Sequence, residues 1–166
     1  GAMSSPAATP LKIDFVSDVS CPWCAVGLNA LERALDAMPE LQVEMHFQPF
    51  ELNPQMPPDG EDATEHLMRK YGMPRAQLER NRAALRERGA AVGFRFGERS
   101  RIWNTFDAHR LLHWAGLEGF QRELKHALLG AYHTHGENPG SHEVLLRIVG
   151  ELGRDVRFPQ RLALLH

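Results

Sequence analysis

Leu11-Lys12-Ile13-Asp14-Phe15-Val16-Ser17-Asp18-Val19-Ser20-Cys21-Pro22-Trp23-Cys24 is the stretch on which the fold turns. Its opening, Leu11 to Val16, is a short apolar run with Ile13 and Phe15 two positions apart, as in a buried strand. Ser17 to Ser20 make a turn. A helix is expected from Pro22 to about Ala37, because Trp23, Val26, Leu28, Leu31 and Leu35 fall at helical spacing, and Pro39 ends it. Leu41, Val43, Met45 and Phe47 alternate with polar residues and predict a second strand over Leu41 to Phe47. Pro49-Phe50-Glu51-Leu52-Asn53-Pro54 then leads into a Pro-rich loop ending near Gly60. Strand, helix and strand at this spacing form a βαβ unit, with parallel strands and a right-handed crossover.

From Glu61 to Leu152 the pattern is helical, with almost no strand. Asp62-Ala63-Thr64-Glu65 reads as a capping box. Further helices are expected over Arg75 to Val92, Asn104 to Trp114, Leu117 to His133, and from Ser141 through Val149. No internal repeat is present.

Composition narrows the function classes. The 166 residues are 43% hydrophobic and 24% charged, with a formal charge of −2, which suits one soluble globular domain. That balance argues against a nucleic-acid partner. No apolar run approaches the length of a membrane span, so no membrane partner is expected. Gly1-Ala2-Met3 reads as an expression remnant, and Ser4 to Pro10 as a small polar leader. No secretory signal pattern precedes the first strand, so the expected location is cytoplasmic.

The two cysteines stand three positions apart, at the junction of strand and helix. In a reducing compartment such a pair points to redox or metal chemistry rather than to a structural bridge. Cys21 falls at the helix N-cap and Pro22 at the first helical position, where its missing N–H costs nothing. The free N–H groups and the positive helix end favour a thiolate at Cys21. Cys24, one turn on, is placed to resolve a mixed disulfide. Trp23 offers an aromatic face to an apolar substrate segment. The alternatives are half of a zinc site, for which histidines would have to supply the missing ligands, or two inert cysteines. His109 and His113 lie four apart and His133 and His135 two apart, but no HExxH pattern accompanies them. These, with His126 and His142, are read as surface or half-buried histidines, and no metal is expected. Asp14 and Asp18 flank the redox turn. Either carboxylate, if buried, can relay a proton to Cys24; the alternative is a solvated strand end. The basic run Arg80, Arg82, Arg86 and Arg88 is interleaved with Glu79 and Glu87 and reads as a solvated helix face.

Four ordered segments carry a family likeness: Asp14-Phe15…Cys21-Pro22-Trp23-Cys24…Gly27; Pro49-Phe50-Glu51-Leu52-Asn53-Pro54; Asn104-Thr105-Phe106-Asp107-Ala108-His109-Arg110; and Ala131-Tyr132…Gly136-Glu137-Asn138…Val144-Leu145. Over about residues 11 to 152 the chain resembles the DsbA-like thioredoxin-fold family, in its FrnE-like dithiol–disulfide isomerase branch. The resemblance implies an α/β fold: a thioredoxin-like βαβ core at 11–59 and an all-helical insertion at 60–152. Residues 1–10 are then tag and leader, and 153–166 a C-terminal remnant. It implies thiol–disulfide exchange on protein or small-molecule disulfides, with Cys21 attacking and Cys24 resolving. Pro22, Trp23, Asn104 and Arg110 would line the active site, although Asn104 and Arg110 suit helix capping and docking equally. No cofactor is required, and glutathione is a candidate reductant. Related 2-hydroxychromene-2-carboxylate isomerases and kappa-class glutathione transferases carry Ser at the position of Cys21 and activate glutathione. That leaves a glutathione-dependent isomerase or transferase of small aromatic or polyketide-like molecules as the second reading.

The family's C-terminal ββα segment, whose first turn carries a cis-proline, is expected to be missing. Arg157-Phe158-Pro159-Gln160 does not match the Val-Pro-x-Phe pattern of that turn. A βαβ half with an open sheet edge would be covered by a homodimer or by strand exchange. A third reading is therefore a truncated, non-catalytic fragment.

Overall fold

The computed structural model describes residues 9–157, 159 and 160. The expected tag and most of the leader (1–8), and much of the expected remnant (158 and 161–166), lie outside the described residues. Strand β1 (Leu11–Ser17) runs into helix α1 (Pro22–Asp36), and strand β2 (Val43–Pro49) returns parallel to β1, with Ile13 opposite Met45 and Phe15 opposite Phe47. This is the expected βαβ unit. β2 begins two residues later than the alternation predicts, and Leu41 is left exposed before it.

The helical layer follows as α2 (Ala63–Tyr71), α3 (Arg75–Ala91), α4 (Phe106–Glu118), α5 (Gln121–Leu129) and α6 (His142–Glu151). Asp62 caps α2 by accepting from the Glu65 N–H at 2.9 Å, the bond the capping box predicts. The expected helix over Leu117 to His133 is instead divided. Gly119, at φ +84°, takes the left-handed conformation that ends α4, and a π-helical turn, Gly130–Thr134, follows α5. A short bridge absent from the expectation, β3 (Glu61–Asp62) with β4 (Arg101–Ile102), ties the start of the helical layer to its middle.

Two apolar clusters fix the site. Ala25 and Leu28 of α1 are fully buried against Phe47 of β2 and Leu129 of α5. Burying Leu28 contributes about 2 kcal/mol, and truncating it would cost more through the cavity left behind. A larger cluster joins Val19 of the redox turn to Leu112, Leu124 and Leu128 of α4 and α5. The turn before α1 is therefore clamped from below by the helical layer. Behind it, Gly97 donates to the His133 carbonyl, and a Cβ there would stand 2.1 Å from the Thr134 carbonyl oxygen. Only glycine allows that approach.

Candidate active site

Cys21 is the N-cap of α1, in extended backbone conformation, with Pro22 at the first helical position. Its N–H donates to the Asp18 carbonyl at 3.1 Å, and its carbonyl accepts from the Cys24 N–H at 3.2 Å. Both thiols are unbridged and half-buried. The Cys24 thiol donates to Cys21 and is the largest influence on it; burial opposes, and the N–H groups of Cys24 and Trp23 assist. Together they bring the Cys21 thiol down to about 6. Cys24 moves the other way, because its S–H donates to the Cys21 sulfur and because it is buried. One cysteine is thus poised as nucleophile while its neighbour keeps its proton.

Of the two candidate relay carboxylates, only Asp18 belongs to the site. Asp14 is exposed on β1 and accepts from the Gln48 amide, so it is no relay. Asp18 is 2% exposed. It accepts from Thr105 Oγ1 at 2.7 Å, from the Leu52 N–H at 2.8 Å, from His109 Nε2 at 3.0 Å and from the Ser20 N–H at 3.3 Å. Burial pushes its carboxyl up, but the hydrogen bonds from His109, Leu52 and Thr105 outweigh that and hold it below the usual range. His109 is accordingly buried and engaged rather than a surface histidine.

Two further buried groups stand here: Lys125, which the sequence does not single out, and His133, which the sequence reads as a surface or half-buried histidine and the fold buries. Lys125 of α5 is 1% exposed. Burial brings its amine down to about 8 against the opposing pull of Cys24, Asp18 and Cys21. Its signal lay in the pattern, since position 125 falls on the apolar stripe of Leu124, Leu128 and Leu129. His133 donates from Nε2 to the Val19 carbonyl at 2.7 Å, and its buried Nδ1 has no partner among the described residues. Burial above all, and then the Arg99 charge, drive it down to about 3, so it is neutral. Among the described residues no cluster of three metal-binding side chains occurs.

Cys21, Pro22 and Trp23 open on a cavity of about 740 Å³ between α1 and the α2–α3 part of the helical layer. Trp23 is half exposed at its mouth. Leu67, Leu78, Leu85 and Phe96 give it apolar wall, and Arg86 and Arg99 give it positive charge. Arg99 also donates to the Ser20 carbonyl at 3.0 Å, which fixes the redox turn. Asn104 and Arg110 do not line this cavity. Asn104 accepts from the Phe106 N–H and donates to the Met56 carbonyl, so it caps α4 and ties down the Pro-rich loop. Arg110 lies over the Phe106 ring and donates to Asp107, facing α6.

Comparison with known proteins agrees with this geometry. The sequence profile of the DSBA-like thioredoxin domain matches residues 12–161. The probable DsbA oxidoreductase SCO1869 of Streptomyces coelicolor is 31% identical with a TM-score of 0.84, over 92% of this chain and 67% of that one. A putative protein disulfide isomerase of Nitrosomonas europaea shares the fold at 13% identity and TM-score 0.59, over 88% of this chain and 66% of that one. So does the cytosolic disulfide reductase DsbM of Pseudomonas aeruginosa, solved with GSH, at 19% identity and TM-score 0.54, over 86% of this chain and 65% of that one. The chain spans about two thirds of the length of these structures. Among curated proteins none matches it. With a profile matched over most of its length and its cysteine pair at the start of α1, the chain belongs to the DSBA-like thioredoxin domain family.

Proposed function

We propose that this chain carries out thiol–disulfide exchange, with Cys21 as nucleophile and Cys24 as resolving thiol. The observation that carries the reading is the opposed pair of thiols at the start of α1, beside an open cavity. The Cys21 thiolate attacks a substrate disulfide and releases one substrate thiolate. The Cys24 thiolate then attacks Cys21, releasing the second substrate thiolate and closing the Cys21–Cys24 disulfide. The substrate is reduced by two electrons and the protein oxidised by two. Membership of the FrnE-like branch rests on the four ordered sequence segments. A cytoplasmic setting is supported by the likeness to a reductase whose description calls it cytosolic.

Turnover of a protein disulfide such as insulin, with glutathione or dithiothreitol as reductant, tests this. Cys21→Ala should abolish turnover. Cys24→Ala should accumulate a mixed disulfide at Cys21, visible in the intact mass. A Cys21→Ala variant as active as the parent would sink the proposal.

The second reading, a glutathione-dependent isomerase or transferase, is favoured by one observation. A cavity of about 740 Å³ suits a small molecule. It predicts that activity survives Cys24→Ser, whereas dithiol exchange predicts its loss.

A further inference from the structure

The cavity at Cys21 carries charge that the fold does not use. Its lining includes Arg82, Arg86 and Arg99, and Asp62, Glu79 and Glu98. Arg82 pairs with Glu79 at 3.0 Å and donates to Thr64, and Asp62 caps α2. Arg86 is exposed, with no hydrogen bond or ion pair among the described residues. Arg99 is half-buried. Its Nη1 donates to the Ser20 carbonyl at 3.0 Å and to the Tyr132 hydroxyl at 3.3 Å, and its guanidinium lies over the Tyr132 ring. Its Nε and Nη2 have no partner among the described residues. Two guanidiniums therefore stand against one unpaired carboxylate, Glu98, and the unpaired charge of the lining is positive.

The position of Arg99 gives that charge a use. The carbonyl that anchors it belongs to the residue before Cys21, so guanidinium and nucleophile are held to consecutive residues of one turn and open on one cavity. Nε and Nη2 form the edge of a guanidinium that takes a carboxylate through two parallel hydrogen bonds. Leu67, Leu78, Leu85 and Phe96 supply apolar wall, and about 740 Å³ suits a small molecule. We propose that this cavity binds a small-molecule disulfide with an apolar body and a carboxylate, and that Arg99 takes the carboxylate while one sulfur lies against Cys21. The inference rests on the exchange chemistry proposed above and names its substrate class.

In the step, the Cys21 thiolate forms a bond to the near sulfur, the substrate S–S bond breaks, and the far half leaves as a thiolate. The Cys24 thiolate, its proton given to water, then attacks Cys21 and releases the near half. The substrate gains two electrons and the cysteine pair loses two. Arg99 touches neither sulfur and changes no charge: it selects and orients.

Two chromogenic disulfides test this on the reduced full chain. 5,5′-Dithiobis(2-nitrobenzoate) carries a carboxylate on each aromatic ring, and 4,4′-dithiodipyridine is an aromatic disulfide with none. The second-order rate of the first phase is measured with each at one neutral pH, and their quotient cancels the fraction of Cys21 thiolate. In the parent the quotient should exceed that of free 2-mercaptoethanol by at least about tenfold, the worth of one charge-assisted contact. Arg99→Gln should bring it to within about threefold of the free thiol, while the dipyridine rate stays near the parent's. Arg88→Gln removes an exposed charge that does not line the cavity, and should keep the parent quotient. A parent quotient like that of the free thiol, a parent-like quotient in Arg99→Gln, or an equal loss in Arg88→Gln overturns the proposal. If Arg99→Gln fails to fold, Arg86→Gln replaces it: a fall of at least about threefold supports the positive lining, and an unchanged quotient overturns it. A chain whose Cys21 reacts with neither reagent would defeat the exchange reading itself, whereas one that reacts with both and prefers neither defeats this inference alone.

Discussion

His109 Nε2 donates to Asp18 Oδ1 over 3.0 Å, so a side chain of α4 completes the floor of the turn that presents Cys21. The bond joins residues 91 positions apart, and both side chains are nearly inaccessible to solvent. His109→Leu removes one of the donors to a buried carboxylate, and should cost about 2–3 kcal/mol in urea denaturation at neutral pH. The acid side adds a sign. Asp18 is held below its ordinary value, so its contribution is present above that value and is lost as pH falls through the lower, folded one. His109→Leu should shrink this acid-sensitive contribution, and an unchanged acid limb would count against the assignment.

Removing the largest influence on Cys21 should raise it. In Cys24→Ala the thiol donor is gone, and the two N–H groups of Cys24 and Trp23 are left to favour the thiolate. The pH midpoint for iodoacetamide alkylation of Cys21 should climb from about 6 toward the ordinary thiol range near 8.5. Intact-mass spectrometry reads the rate directly. A midpoint that stays near 6 would mean the helix start alone sets it.

Asp18→Asn separates stability from reactivity. The Asp18 charge opposes the Cys21 thiolate, so its removal favours that thiolate. The same change turns an amide N–H toward donors that now point at a carboxylate, and should cost about 2 kcal/mol of stability. A chain that is less stable yet alkylates at Cys21 with a midpoint no higher than the parent's is the expected result. A raised midpoint would show that Asp18 supports the thiolate.

The βαβ unit and the redox helix were legible because local physics sets them. Alternation at Ile13 and Phe15, helical spacing through Leu28, and a proline at the first helical position all agree with one another. The charged floor was not legible, because Asp18, Thr105, His109 and Leu52 meet only when the helical layer folds back under the turn. The resemblance places Asn104 and Arg110 near the site, but Asn104 holds the start of α4 and Arg110 pairs with Asp107 along the same helix. Lys125 was visible in principle as a cation on an apolar stripe. What it faces, the two cysteines and Asp18, is a tertiary fact.

Lys125 should also be a burden on the fold. An amine lowered from 10.5 to about 8 means that the unfolded chain binds a proton more tightly than the folded one. The cost is fully present below about 8 and is relieved as pH rises from there toward 10.5. At 1.36 kcal/mol per pH unit, that is about 3 kcal/mol at neutral pH. Lys125→Met, similar in length and apolar, should therefore be more stable than the parent by about that amount at pH 7, with the gap closing in alkaline buffer. Urea denaturation of both reduced proteins across this range measures it. A variant less stable than the parent at pH 7 would mean that the Lys125 ammonium is well paired in the fold.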